Sequence, residues 1–167
     1  RIYSPEDGAR LGLQGMIDDM LAAADFDLRA SLPGSLDGLR AGSRFDLARI
    51  ITALEGDALA PELRGELAAL AAKRPVPVLG ITGTGGSGKS SLTDELIRRF
   101  RYDQEDRLKI AVIAVDPSRR KTGGALLGDR IRMNAIDGDN IYMRSLATRA
   151  SGMEIAACLP EVCAACK

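Results

Sequence analysis

Residues Gly83-Thr84-Gly85-Gly86-Ser87-Gly88-Lys89-Ser90 match the pattern G-x-x-x-x-G-K-[ST] in full. The chemistry of a polyphosphate asks for these residue types. Wrapping it takes consecutive backbone N–H groups, and glycine permits so tight a curl through positive φ. The N-terminus of a following helix adds partial positive charge. Lys89 is then placed to reach the β- and γ-phosphate oxygens, and the Ser90 hydroxyl to ligate Mg²⁺. The expected phosphate-binding set is Gly85, Gly86, Ser87, Gly88, Lys89, Ser90 and Ser91. The motif specifies a nucleoside triphosphate with Mg²⁺ and leaves the base open.

The flanks of this stretch set the fold class. Val76 to Thr82 is a short apolar run without helical period, which predicts a buried strand. A helix is expected from about Gly88, with Leu92, Leu96, Ile97 and Phe100 turned inward. Ile110 to Val115 reads as a second buried strand and Ile141 to Met143 as a third. Strand–helix–strand order at this spacing implies a parallel sheet with crossover helices. The class is α/β, of the P-loop NTPase kind.

The first 75 residues have a different pattern. Ser4-Pro5-Glu6-Asp7 has the order of a helix start: cap, first-turn proline, acid. Leu13, Met16, Ile17, Met20, Leu21 and Ala24 then recur at three- and four-residue steps. Leu47, Ile50, Ile51 and Leu54 mark a second helix, and Leu63, Leu67 and Leu70 a third that starts near Pro61. Lys73-Arg74-Pro75-Val76-Pro77 interrupts any helix. Net charge changes there as well, from −3 over residues 1–75 to +3 over residues 76–167. The organisation expected is a helical linker or docking segment, 1–75, before the N-terminal part of a nucleotide-binding domain, 76–167. Both ends of the chain are taken as cuts.

Composition narrows the chemistry. The 167 residues contain no histidine, which excludes within this chain a Ser-His-Asp triad and any imidazole ligand for zinc, haem or cobalt. Lys and Arg balance Asp and Glu at 23 each, so no basic excess points to nucleic acid. No secretory leader opens the sequence and no apolar run reaches the ~18 residues of a membrane span, so neither partner is expected.

Two acids extend the candidate site. Asp116 stands where the second strand runs into Pro117, on the ligand-binding edge of a parallel sheet, suited to a Mg²⁺-bound water or to orienting the attacking water. The alternative is an Asp that starts a turn before proline. Asp129 is a second acid for the Mg²⁺ side, beyond the basic, glycine-containing stretch Ser118 to Gly124. That stretch is either a loop closing over phosphates or a solvated surface loop. Cys158, Cys163 and Cys166 have C-x₄-C-x₂-C spacing, the start of an iron–sulfur pattern, but lack a fourth ligand and lie in an alanine-rich stretch, Glu154 to Lys167, that reads as helix. Small buried thiols of a reducing cytosol are the expectation.

Gly83 to Ser91, Val115-Asp116-Pro117-Ser118 and Thr122 to Met133 resemble the MeaB/ArgK type of P-loop GTPase, which attends adenosylcobalamin-dependent acyl-CoA mutases. Arg119-Arg120-Lys121 and the lead-in Tyr3 to Gly8 with Gly12 to Ile17 are similar to the fused isobutyryl-CoA mutase group, in which a cobalamin-binding domain, such a G domain and a substrate barrel share one chain. The resemblance implies a cytoplasmic, homo-oligomeric GTPase. Lys89 and Asp116 would be catalytic, and Ser90, Asp116 and Asp129 would lie on the metal side. GTP or GDP and Mg²⁺ would bind here. Adenosylcobalamin would be bound only in other domains, and the partners would be the cobalamin-binding and acyl-CoA-binding mutase domains. The family's acidic switch and base-reading segments have no counterpart within these residues. Two other readings stay open: a P-loop small-molecule kinase, and a non-catalytic interaction module propped by nucleotide.

Overall fold

A computed structural model describes residues 2–27, 32–117, 132–148 and 155–167, with only the backbone placed for Asp116 and Pro117. The chain forms two compact units, Arg1–Ser31 and Leu32–Lys167.

The first unit is the helix α1 (Pro5–Ala24), opened by the expected capping box between Ser4 and Asp7. It is not straight. Gly12 (φ 64°, ψ 176°) breaks the helical path, and only glycine takes such a conformation without strain. The Tyr3 hydroxyl consequently reaches the second arm, donating its one hydrogen to Asp19 Oδ2 at 2.5 Å, with the Met16 carbonyl 3.3 Å away.

The second unit runs α2 (Asp37–Arg40), α3 (Arg44–Glu55), α4 (Pro61–Ala72), α5 (Lys89–Asp103), β1 (Ile110–Pro117), β2 (Ile141–Thr148) and α6 (Leu159–Ala165). Ser43 caps α3 by accepting the Asp46 N–H at 3.2 Å. Pro61 and Pro160 stand in the first turns of α4 and α6, where the missing N–H costs nothing. This last helix therefore starts at Leu159, later than the stretch from Glu154 that its alanine content suggests.

β1 and β2 pair in parallel, from Ile110 opposite Ile141 to Pro117 opposite Thr148. The sheet divides its side chains by alternation. On one face Val112 and Met143 pack, with Ile110 and Ile141, against Ile97 of α5 and against Met133 and Ala135. On the other, Ile113, Val115, Tyr142 and Leu146 meet α3, α4 and α6 through Ile50, Ile51, Leu67 and Val162. The result is three layers, helix on sheet on helices, with the parallel sheet and flanking helices expected of the class. Two arginines bind α3 to β2: Arg44 donates to the Ile141 carbonyl, and Arg144 to Thr52 Oγ1 at 3.2 Å and to Glu55. Among the described residues no helix is long and apolar enough to cross a membrane.

Two expectations are corrected. Val76 to Thr82 forms no ladder, and Val78 and Leu79 are 65% and 69% exposed. An apolar run becomes a strand when a neighbouring backbone takes its N–H and C=O groups, and among the described residues nothing pairs with it. On α5, Ile97 is buried and Leu96 half-buried, but Leu92 and Phe100 are exposed. Two strands about 5 Å apart make a platform only about one helix wide, so the margins of the apolar stripe find no cover.

The tie between α5 and β2 is polar as well as apolar. Buried Asp94 accepts the Ala135 N–H at 2.7 Å and a bond from Arg98 at 3.3 Å. Arg101 donates to the carbonyls of Ala135 and Asp137 at 2.9 and 2.8 Å. Asp94→Leu should lower unfolding stability in urea by about 1.5–3 kcal/mol, the scale of a charge-assisted bond, and Asp94→Asn by clearly less, because its carbonyl still accepts from Ala135.

Candidate phosphate-binding site

The loop between Thr82 and α5 turns through Gly86 (φ 78°) and Gly88 (φ 83°), both left-handed. A Cβ at either would meet nothing within 4 Å, so backbone conformation, not crowding, requires glycine there. Gly88 is the N-cap of α5 and supplies no side chain to its first-turn amides, and no acid stands in that first turn. The other described helices each carry an acid there: Glu6 and Asp7, Asp37, Asp46, Glu62 and Glu161. The head of α5 is thus left electropositive, in the state that receives an anion.

Lys89, the first residue of α5, bends back across the loop. Its Nζ donates to the carbonyls of Gly83 and Thr84, both at 2.8 Å. An ammonium has three N–H donors, so two hold the loop in its curl and one remains for a phosphate oxygen. The Ser87 N–H donates to the Thr84 carbonyl at 3.3 Å and tightens the turn inside this span. Gly85, Gly86, Ser87 and Gly88 are exposed, Lys89 and Ser90 half-buried, and Ser91 exposed. The loop is an open surface feature. Grooves of about 410 and 460 Å³ lie elsewhere, beside the last turns of α5 and at the carboxyl end of β2.

The structure brings the seven loop residues together and places Asp116 one residue before the end of β1, level with Ala147 of β2. Asp116 therefore stands on the carboxyl edge of the sheet, as expected; its side chain, the Ser118–Gly124 loop and Asp129 lie outside the described residues. Sequence reasoning missed the two carbonyls that hold Lys89. Being backbone atoms, they leave no side-chain signal; the spacing from Gly83 to Lys89 is the only trace of them.

With this geometry in place, comparison with known proteins decides the lineage. The family model described as "Methylmalonyl Co-A mutase-associated GTPase MeaB" matches residues 47–166. The chain belongs to the MeaB family. The match begins within α3, so the MeaB unit takes in helices ahead of the phosphate loop, consistent with the shared core on β2. The fused isobutyryl-CoA mutase of Cupriavidus metallidurans is 66% identical over 167 residues, and that of Nocardia farcinica 58%, each covering 100% of this chain. The chain spans 15% of the length of either. The GTPase ArgK of Escherichia coli, a smaller MeaB-type relative, is 40% identical over 114 residues, covering 63% of this chain and 32% of its own length.

The cysteines lie beside this site's supporting core and do not join it. Cys158, Cys163 and Cys166 are in no disulfide and are half-buried on and around α6, and no group of three metal-ligating side chains occurs among the described residues. Burial, and then the charge of Cys163, push the Cys166 thiol from its ordinary 9.0 up to about 11. A thiol raised in the fold favours the folded state fully below pH 9, and that contribution is lost as pH rises through 11. Alkylation of the native protein at pH 8 should therefore modify Cys166 far more slowly than a free thiol. Thermal stability should also fall between pH 9 and 11, by less in Cys166→Ala.

Proposed function

We propose that this chain is part of a Mg²⁺-dependent, GTP-binding and GTP-hydrolysing module that serves an adenosylcobalamin-dependent acyl-CoA mutase of the fused isobutyryl-CoA type, with nucleotide state gating the loading or repair of the mutase cofactor. The observation that carries it is the glycine loop bridged by Lys89 at the uncapped head of α5, in a chain of the MeaB family.

In this reading the amides of Gly85, Gly86, Ser87, Gly88 and Ser91 hold the phosphates. Lys89 keeps the loop curled and places positive charge where negative charge grows as the terminal phosphate departs. Oxygen donors suit Mg²⁺, and Ser90, in the first turn beside Lys89, together with Asp116 and Asp129 forms a hard set of that kind. When bound, Mg²⁺ neutralises phosphate oxygens. Asp116, on the carboxyl edge of the sheet, orients the attacking water. Residues 76–167 carry this chemistry, while residues 1–75 are the helical docking segment. Of these, α3 and α4 are seated on the sheet half through the shared core. In this reading cobalamin and acyl-CoA bind in other parts of the parent polypeptide; this chain has no histidine to ligate cobalt. The parent acts in the cytoplasm as a homo-oligomer.

Titration of the full-length parent with labelled GTP and ATP tests the reading. GTP preference and phosphate release without an acceptor are expected; strong ATP preference, or phosphate transfer to a metabolite, would contradict it. Lys89→Ala should weaken triphosphate binding by at least about tenfold, the loss of one charge-assisted bond of roughly 1.5–3 kcal/mol. Asp116→Ala should leave binding nearly intact and lower turnover at saturating Mg²⁺; an unchanged rate would return Asp116 to the role of a turn residue.

A further inference from the structure

One face of α5 ties the helix that opens at the phosphate loop to the chain entering β2. Ser90, Asp94, Ile97 and Arg101 recur at steps of four, three and four, which on an α-helix puts them within about 60° of one another around the axis. The last three hold residues 133–137. Ile97 packs in one cluster with Met133 and Ala135. Asp94, 8% exposed, accepts the Ala135 N–H at 2.7 Å, and Arg101 donates to the carbonyls of Ala135 and Asp137 at 2.9 and 2.8 Å. Both polar backbone atoms of Ala135 are thus held by side chains two turns apart on the same helix. Ser90, one turn before Asp94, heads the stripe.

The clasp is oriented at both ends. Asp94 gives Oδ1 to Ala135 and Oδ2 to Arg98, at 3.3 Å, so both carboxylate oxygens are engaged. Gly138 leaves room for the Arg101 guanidinium: a Cβ there would lie 3.2 Å from Nη2 and 3.4 Å from Cζ.

Directional bonds matter here because burial fixes this helix poorly. Leu92 and Phe100 lie off this face and stay 53% and 46% exposed. The hydrophobic effect is non-directional, whereas a carboxylate on a backbone N–H favours a narrow range of distance and angle. The Asp94 bond therefore sets the rotation of α5 about its own axis. Turning the helix by one residue would carry Ser90 through about 100°. Of the two polar ties, that of Asp94 is the nearer to the phosphate loop.

We infer that Asp94 is a positioning residue for the Mg²⁺ side of the phosphate site: by holding the Ala135 N–H it fixes the rotation of α5, and with it where Ser90 presents its hydroxyl to the metal. This rests on the reading of Ser90 as a Mg²⁺ ligand given above. With both oxygens engaged, Asp94 acts through Ser90 and not on the metal.

The test is the affinity of the full-length parent for a non-hydrolysable GTP analogue, measured once with Mg²⁺ and once with EDTA. The ratio of the two is the gain that Mg²⁺ confers. Asp94→Ala should cut that gain about tenfold, the low end of what losing the support of a metal ligand costs. Its affinity in EDTA should stay within about twofold of the wild type. Asp94→Asn, whose carbonyl still accepts from Ala135, should keep most of the gain. Gly138→Ala crowds Arg101 from the other side of the clasp and should lower the gain by less; it decides the matter if Asp94→Ala fails to fold. Val162→Ala opens a cavity in the core on the opposite face of the sheet, and should lower stability while leaving the gain unchanged.

An unchanged gain in Asp94→Ala, with only a lower thermal stability, would overturn the inference. Equal losses of gain in Asp94→Asn or in Val162→Ala would do the same. If the wild type binds an ATP analogue in place of the GTP analogue, the guanine reading fails, and the same ratios taken with the ATP analogue decide the role of Asp94. A wild type that binds neither analogue, or that gains nothing from Mg²⁺, contradicts both.

Discussion

A lysine holding its own loop is the interaction on which the site depends. Lys89 crosses from the first turn of α5 to the carbonyls of Gly83 and Thr84, and the span between is short enough only because Gly86 and Gly88 take left-handed conformations. The same closure that fixes the curl leaves the helix head uncapped and one ammonium N–H unspent. An anion arriving there meets donors already in place, so little has to be reorganised when it binds. Each part needs the others. Without the glycines the lysine cannot reach, and without the lysine the curl has only the Ser87–Thr84 bond across it.

The sheet behind the loop is narrow, two strands wide, and the helices on both faces make it a scaffold. α5 is held to the approach of β2 by Asp94 and Arg101, so the helix that presents the phosphate loop is anchored to the strand beside Asp116. On the other face α3, α4 and α6 close the core, and Arg44 and Arg144 join α3 to β2. The helices that precede the loop in sequence are thus structural neighbours of the strands that follow it, and the MeaB family match, from residue 47, takes in both.

Much of this was legible in the residues. The phosphate loop announces itself because its chemistry fixes residue types at fixed spacing, and β1 because a continuous apolar run suits a strand covered on both faces. Of β2 only Ile141 to Met143 could be read, because Arg144 and Ser145 interrupt the run while the strand continues to Thr148. Asp116 could be placed on the sheet edge from its position after Val115 alone. Other features depend on what a segment finds to pack against. Val76 to Thr82 has the composition of a buried strand but no neighbour among the described residues, and Leu92 and Phe100 overhang a sheet too narrow to cover them. Asp94 and Arg101 act through backbone atoms of a distant segment, which no local pattern foretells. The bend of α1 was hidden for a different reason: its apolar spacing begins at Leu13, just past the break, and only the backbone at Gly12 shows it.

The most direct measurement is a crystal structure of the full-length parent with Mg²⁺ and a non-hydrolysable GTP analogue. The account predicts phosphate oxygens within hydrogen-bond distance of the Gly85, Gly86 and Gly88 amides. It also predicts Lys89 Nζ on the terminal phosphate while still held by a loop carbonyl. A triphosphate bound elsewhere, with the Gly83–Lys89 curl unchanged and empty, would contradict it.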